Sequence, residues 1–496
     1  MSVDRPKTES FPWSIAIDHD SLEPIHIQVA HALRSAILNG ILPDQSLLPS
    51  MTELSQALKV SRSTIARSFE TLASQGYVRT AKTGTYVQHK FAGHLDYCEL
   101  SRVDGQELDL SPVGLSSYAR WLIELSNQAQ SFGAAAPAAN SGGPAIELTP
   151  LNQWKLLLEQ NCRMKDLSRL EYSHEPFGYP PLREAYAAYL GRARAVRCSS
   201  EQVVVFSARE LRLDLICRLL VDEGDCVAVE EPGYGEVRER FLSFGARVVA
   251  IPTDHNGLDV NYLCALDAKF KLVYVSPSYV DPTGATMSLS RRQKLIEWAS
   301  EKGTFIIEDD YASEYRYRGR PLPSLQGLDN ADVVIHLSCL WKVLFPVVRL
   351  GFLIVPKRLT EAFRLAKTMT ENDLPLFDQF ALTDFINEGM LERHIRKTRA
   401  IYGQRREALV SALIEHFADR VTISPEAAGF ELLINIKGGI PDEQLLELAA
   451  KDDIPLFSSR QNYMNTQKCG EFIMPFGDFD EDTLARHVRK LKALVG

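Results

Sequence analysis

Apolar positions near the N-terminus recur at helical spacing. After Pro24, Ile25, Ile27, Val29, Ala32, Leu33, Ala36, Ile37 and Leu38 predict a first helix, with Gly40 as its stop signal. Pro49-Ser50 opens a second helix carrying Leu54, Ala57 and Leu58, and Ser50 is placed to cap it. Lys59-Val60-Ser61 leads into a third, from Arg62 to Leu72. The pattern then becomes strand-like. Gly76–Thr80 and Thr85–Gln88 flank Ala81-Lys82-Thr83-Gly84, which predicts a hairpin with its glycine at the turn. Three helices and a hairpin make a winged helix-turn-helix over 24–90, behind an N-terminal tail of 1–23.

From 151 the pattern changes. Short apolar runs (Val203–Phe206, Cys226–Val229, Leu272–Val275, Thr304–Ile307, Val333–Leu337) alternate with helix-like stretches. That alternation predicts an α/β domain of three layers, a mostly parallel sheet with helices on both faces. From about 390, a long helical stretch and mixed strands predict a small C-terminal α+β subdomain. Residues 91–150 read as a linker. Within it Ser116–Gln130 predicts one helix, and Gly133–Pro144 is low in complexity.

The chain has 496 residues and a formal charge of −9, yet residues 24–90 hold seven cations against three acids, a local charge of +4. A basic module on an acidic chain points to a polyanion partner. Ser61, Arg62, Ser63, Thr64 and Arg67 crowd the third helix and its start. Hydroxyls there reach phosphates and an arginine reads guanine edges. Eight cysteines without a Cys-x-x-Cys pair argue against zinc and against a disulfide framework. No apolar run is long enough to span a bilayer, and the expected compartment is a reducing cytoplasm.

The chemistry concentrates between 308 and 349. Glu308-Asp309-Asp310-Tyr311 closes one apolar run, and Lys342 and Arg349 follow the next. A carboxylate, a phenol, a lysine and an arginine then project from the carboxyl ends of strands, where open α/β sheets place ligands. The set suits pyridoxal phosphate: lysine condenses with its aldehyde, a carboxylate keeps the pyridine nitrogen protonated, and a cation holds the phosphate. Each residue alone is an ordinary strand-end residue; order and spacing carry the reading.

Two longer resemblances add to it. Leu48-Pro49-Ser50, Val60–Thr64, Leu72–Val78 and Thr83–Val87 resemble the GntR-type DNA-binding domain, though Met51 and Thr52 stand where that family has an arginine. Glu308–Tyr317 and Pro323–Asp329, with Phe177–Ala185 and Glu231-Pro232-Gly233-Tyr234, resemble the fold-type I aminotransferase domain of MocR-family transcription regulators. The resemblance implies that Lys342 is the catalytic lysine. It also implies that Asp309 pairs with the pyridine nitrogen, Tyr311 bonds the ring hydroxyl, Tyr234 stacks near the ring and Arg349 binds phosphate.

The family's phosphate cup falls on Ser207, Ala208 and Arg209, and Asp281 falls beside the ring hydroxyl. In the head, the implied DNA contacts are Ser50, Ser61, Arg62, Ser63, Thr64, Arg67, Lys82, Thr83 and Gly84. Several family residues are replaced. Cys339 and Trp341 stand where hydroxyl residues are usual, and Tyr279 and Val280 where histidine and glutamine are. Glu471–Gly477 lacks the arginine that clamps a substrate carboxylate in aminotransferases.

The reading is a homodimeric regulator. It binds operator DNA, holds pyridoxal phosphate, and senses the cofactor or an amine or amino-acid effector with little or no transaminase turnover. The alternatives are an active aminotransferase with an accessory DNA-binding head, and a DNA-binding protein whose large domain only dimerises.

Overall fold

The computed structural model describes residues 17–18, 21, 23–38, 41–81, 83–88, 114, 116, 118–123, 143–165, 167–319, 321–424, 428–438, 440–465 and 468–496. Gly40, Lys82, most of the helix expected over Ser116–Gln130 and most of the low-complexity run lie outside the described residues. The chain divides into two compact units, 1–112 and 113–496.

In the first unit, α1 (Ile25–Leu38), α2 (Met51–Leu58) and α3 (Arg62–Ser74) precede a hairpin of β1 (Val78–Ala81) and β2 (Gly84–Val87). The apolar stripes read from the sequence form its core: Val29, Leu33 and Ile37 meet Leu54, Ile65, Phe69, Leu72, Val78 and Val87. Ser50 caps α2 in a reciprocal box. Its side chain accepts from the Glu53 amide at 3.2 Å, and its own amide donates to Glu53 Oε2 at 2.7 Å. Ser61 caps α3 by accepting from the Thr64 amide at 3.1 Å. Gly84 follows the tip at φ 141°, and a Cβ there would stand 2.5 Å from Leu47 Cδ1. The exposed Leu47 side chain could swing aside, so it is the backbone conformation that favours glycine here.

The second unit is built on eight strands in the order β3-β10-β9-β8-β7-β4-β5-β6. These are β3 (Val203–Phe206), β4 (Cys226–Glu231), β5 (Arg247–Asp254), β6 (Gly257–Leu258), β7 (Phe270–Val275), β8 (Phe305–Asp310), β9 (Val334–Cys339) and β10 (Gly351–Ile354). The central pairs β5-β4, β4-β7, β7-β8 and β8-β9 are parallel, while β10 is antiparallel to both neighbours. Alternate residues enter opposite cores. Tyr274, Ile307 and Ile335 lie on one face; Val273, Val275, Ile306 and Val334 lie on the other. This double burial explains the near-continuous apolar runs.

A 28-residue helix, Met390–Phe417, leads to a four-stranded antiparallel sheet ordered β11-β12-β14-β13. Its strands are β11 (Val421–Ile423), β12 (Glu431–Ile436), β13 (Phe457–Ser458) and β14 (Glu471–Pro475). Gly143, Pro144 and Ala145 are buried within this unit. The Ala145 amide donates to the Tyr402 hydroxyl at 3.1 Å. No described helix is long and apolar enough to cross a membrane.

Candidate cofactor pocket and nucleic-acid face

Three adjacent acids close β8, and the two-residue period of the strand gives them different surroundings. Glu308 accepts from the Leu325 and Gln326 amides at 2.7 and 3.0 Å and pairs with His336 Nδ1 at 2.9 Å. Burial pushes the Glu308 carboxyl up, but His336 overcomes it and holds it below its usual value. Asp310 takes both sides of the Arg194 guanidinium, at 2.7 and 3.2 Å, and a bond from the Ser313 hydroxyl. Burial is again outweighed, here by Arg194, so Asp310 stays ionised to lower pH. Both acids belong to a buried polar layer in which each carboxylate has a basic partner, His336 for Glu308 and Arg194 for Asp310.

Asp309 points to the opposite face. Its Oδ2 accepts from the Tyr274 hydroxyl, while Oδ1 is buried with no hydrogen-bond partner. Burial raises its carboxyl against the pull of Arg212, the Tyr274 bond and Arg209. The Tyr311 hydroxyl, two residues on, is likewise buried without a partner. Its ring meets that of Tyr279 edge-on at 5.8 Å.

Lys342 sits in a single helical turn, Trp341–Leu344, that follows β9. It is half-buried, with its Nζ 5.2 Å from the Trp341 and Phe430 ring centres. Burial lowers its pKa; Glu431 and Asp281 oppose that and Arg209 adds to it. Asp281 and Glu431 are both raised, first by burial, with Lys342 pulling each back. Asp478 is pushed up to about 6 by burial while feeling the same lysine. Glu431 and Asp478 were not among the residues singled out from the sequence. Glu431 was legible only as a polar residue that breaks the apolar run opening β12.

The expected phosphate cup differs. Ser207 follows β3, but its amide donates to Glu371 Oε1 at 3.1 Å and its hydroxyl donates to the same oxygen. Ala208 is half-buried between Ser207 and Arg209. Arg209 pairs with Glu210 at 2.7 Å, reaches the Tyr234 hydroxyl at 3.3 Å and lies 5.4 Å from the Trp341 ring centre. Tyr234 in turn donates to Glu236 at 2.5 Å. Arg349 is exposed and makes no ion pair among the described residues.

In the head, Arg62, Ser63 and Arg67 are exposed along α3, and neither arginine has an ionic partner among the described residues. Thr64 is half-buried and shares a 2.7 Å bond with the Ser61 hydroxyl. Ser50 and Ser61 serve first as helix caps. Thr83, at the wing tip, accepts from Tyr86 at 3.0 Å, and Gly84 begins β2.

A winged helix-turn-helix and a pyridoxal-type pocket define a regulator built on an aminotransferase scaffold. Residues 147–447 match the family described as aminotransferase class I and II, and residues 26–87 match bacterial regulatory proteins of the gntR family. The chain is 31% identical to the probable rhizopine catabolism regulatory protein MocR of Rhizobium meliloti, over 97% of this chain and 95% of that one. It is 28% identical to the uncharacterized HTH-type transcriptional regulator YhdI of Bacillus subtilis, over 96% and 97%. The kynurenine aminotransferase of Pyrococcus horikoshii, solved in complex with PMP, superposes with a TM-score of 0.67 at 26% identity, covering 80% of this chain and 98% of that one. The chain belongs to the MocR-type transcription regulators, GntR-headed members of the class I and II aminotransferase family. Aminotransferases of this class depend on pyridoxal phosphate.

The residues present fit that cofactor at one end. A buried carboxylate oxygen and a buried phenol await partners beside a lysine of lowered pKa, which suits the pyridine nitrogen, the ring hydroxyl and the aldehyde. The other end does not fit as it stands, because a carboxylate already holds the Ser207 donors.

Proposed function

We propose that the chain binds operator DNA through α3 and the wing, and that its second unit captures pyridoxal phosphate at Lys342 and responds to it or to an amine. The observation that carries this reading is the pair of unpartnered buried groups, Asp309 Oδ1 and Tyr311 hydroxyl, on the rim that presents Lys342. Leaving such groups unmatched costs roughly 1–3 kcal/mol each, a cost that a bound ligand removes. When bound, the cofactor supplies an aldehyde for amines and an electron-withdrawing ring. The chain's own part is to hold that ring by Asp309 and Tyr311, under Tyr234, and to keep the Lys342 amine available by burial.

Efficient transamination is not part of the reading. Apolar Ile473 and Met474 occupy β14 where a carboxylate clamp is expected, and the acids Glu431 and Asp281 act on Lys342 together with Arg209. On the DNA side, Arg62 and Arg67 supply free cations. Ser50, Ser61, Ser63, Thr64, Lys82, Thr83 and Gly84 complete the assigned contacts. The head is assigned to 24–90 and the aminotransferase-like region to 151–496, working in the cytoplasm.

A homodimer is part of the proposal. It pairs two DNA-reading heads. Ile146, Leu151, Leu156 and Leu167, all exposed, offer apolar surface for a second copy to cover. The test is a visible absorption spectrum of the purified protein with added pyridoxal phosphate, repeated with Lys342→Ala, alongside operator gel shifts with and without an amine. A new visible band that needs Lys342, with operator affinity that changes on ligand addition, is the expected result. Identical spectra for the two proteins would remove Lys342 from the reading.

A further inference from the structure

The anion in the cup belongs to the chain itself. Glu371 follows the helix Thr360–Thr370 and turns its carboxylate onto the end of β3. Oε1 accepts both Ser207 donors, while Lys367 pairs with Oε2 at 2.9 Å and donates to the Glu371 carbonyl at 2.7 Å. Lys367 is wholly buried, 4.9 Å from the centre of the Phe206 ring. Burial lowers its pKa and Glu371 restores part of the loss. A side-chain carboxylate thus takes the donors that a phosphate would use and is anchored from behind by an ammonium with no access to water. No residue of this arrangement belongs to the set read from the sequence, apart from Ser207.

We propose that Glu371 is an internal competitor for the ligand's phosphate, so that a phosphorylated ligand docks fully only by displacing it. Two like charges cannot share Ser207 at hydrogen-bond distance without strong repulsion. Entry therefore moves the Glu371 carboxylate off the cup and leaves Lys367 to re-pair. Arg209, now spent on Glu210, and Arg349, now unpaired, are the cations left for the incoming group. A ligand with the same ring and aldehyde but no phosphate does not meet this competition. The inference rests on the reading that the Lys342 pocket takes a pyridoxal ring.

The experiment compares pyridoxal phosphate with pyridoxal on the full-length protein. Affinity is read from visible absorption, and attachment at Lys342 from borohydride trapping and mass spectrometry. Glu371→Gln is expected to tighten pyridoxal phosphate at least tenfold and leave pyridoxal within about twofold. The Lys367→Met/Glu371→Met double variant removes the buried pair together, leaving no unpaired charge if the single variant misfolds; the same gain is expected. Inorganic phosphate is expected to raise the melting temperature of the Gln variant more than that of the parent. Equal shifts for both aldehydes, or weaker pyridoxal phosphate binding in both variants, would overturn the proposal. Trapping of pyridoxal but not its phosphate by the parent supports it. If neither aldehyde is trapped by parent or variants, the Lys342 reading itself fails and the proposal with it.

Discussion

The two ends of the pocket handle their polar groups in opposite ways. At the ring end Asp309 Oδ1 and the Tyr311 hydroxyl are buried and unpartnered. At the cup end both Ser207 donors are spent on Glu371, which is itself held by Lys367. A fold sheds unmatched buried groups unless something else matches them. The ring end therefore leaves its groups for a ligand to match, whereas at the cup end the chain's own carboxylate takes the donors, its second oxygen meeting only the Lys367 ion pair. The exposed arginines of α3 follow the first pattern on a different surface: charge without an internal partner.

The largest effect is expected at the open end. Lys342→Ala should abolish covalent trapping of pyridoxal phosphate, and retention of trapping would show that the two ends do not serve one ligand. Next comes the paired layer behind β8. Arg194→Met leaves Asp310 buried and unpaired, and should cost about 3–5 kcal/mol in a urea titration. Asp309→Asn keeps an acceptor for Tyr274 and should cost less than about 1 kcal/mol while weakening ligand binding. Similar stability losses in the two variants would erase the distinction between open and closed groups.

On the head, Arg62→Ala should reduce discrimination between cognate and mutated operators by about 1–3 kcal/mol, with the melting temperature unchanged. An unchanged preference in gel-shift titrations would mean that this exposed cation reads no base. The smallest effect concerns pH. Because burial lowers the Lys342 pKa, its neutral amine is populated at lower pH than that of an exposed lysine, and the midpoint of trapping rate against pH should lie below the ordinary lysine value. Glu431 favours the charged form, so Glu431→Gln should move that midpoint lower still. A midpoint that rises or stays fixed would place Glu431 outside the pocket's electrostatics.

Much of this was legible before the structure, for identifiable reasons. The helical stripes of the head and the capping role of Ser50 are local, set by residues within one or two turns, and they match the observed core and caps. Asp309, Tyr311 and Lys342 follow apolar runs, so their place on the rim came with the strands. Pairing across long separations was not legible. Glu371 lies 164 residues from Ser207 and carries no motif. Arg194 stands 116 residues before Asp310 in a helix of ordinary composition.

The end of β8 behaves as a reading frame. Glu308, Asp309 and Asp310 form a triplet of nearly interchangeable letters, and which one lies on the Tyr274 face of the sheet is set by the count of residues since Phe305. Deleting one residue upstream would leave composition and charge almost untouched. Yet it would turn a core carboxylate toward the pocket and push Asp309 among groups already matched to other partners. A library of single-residue deletions should therefore find this strand intolerant where substitutions at the same positions are graded. The chemistry here is encoded by parity as much as by residue type.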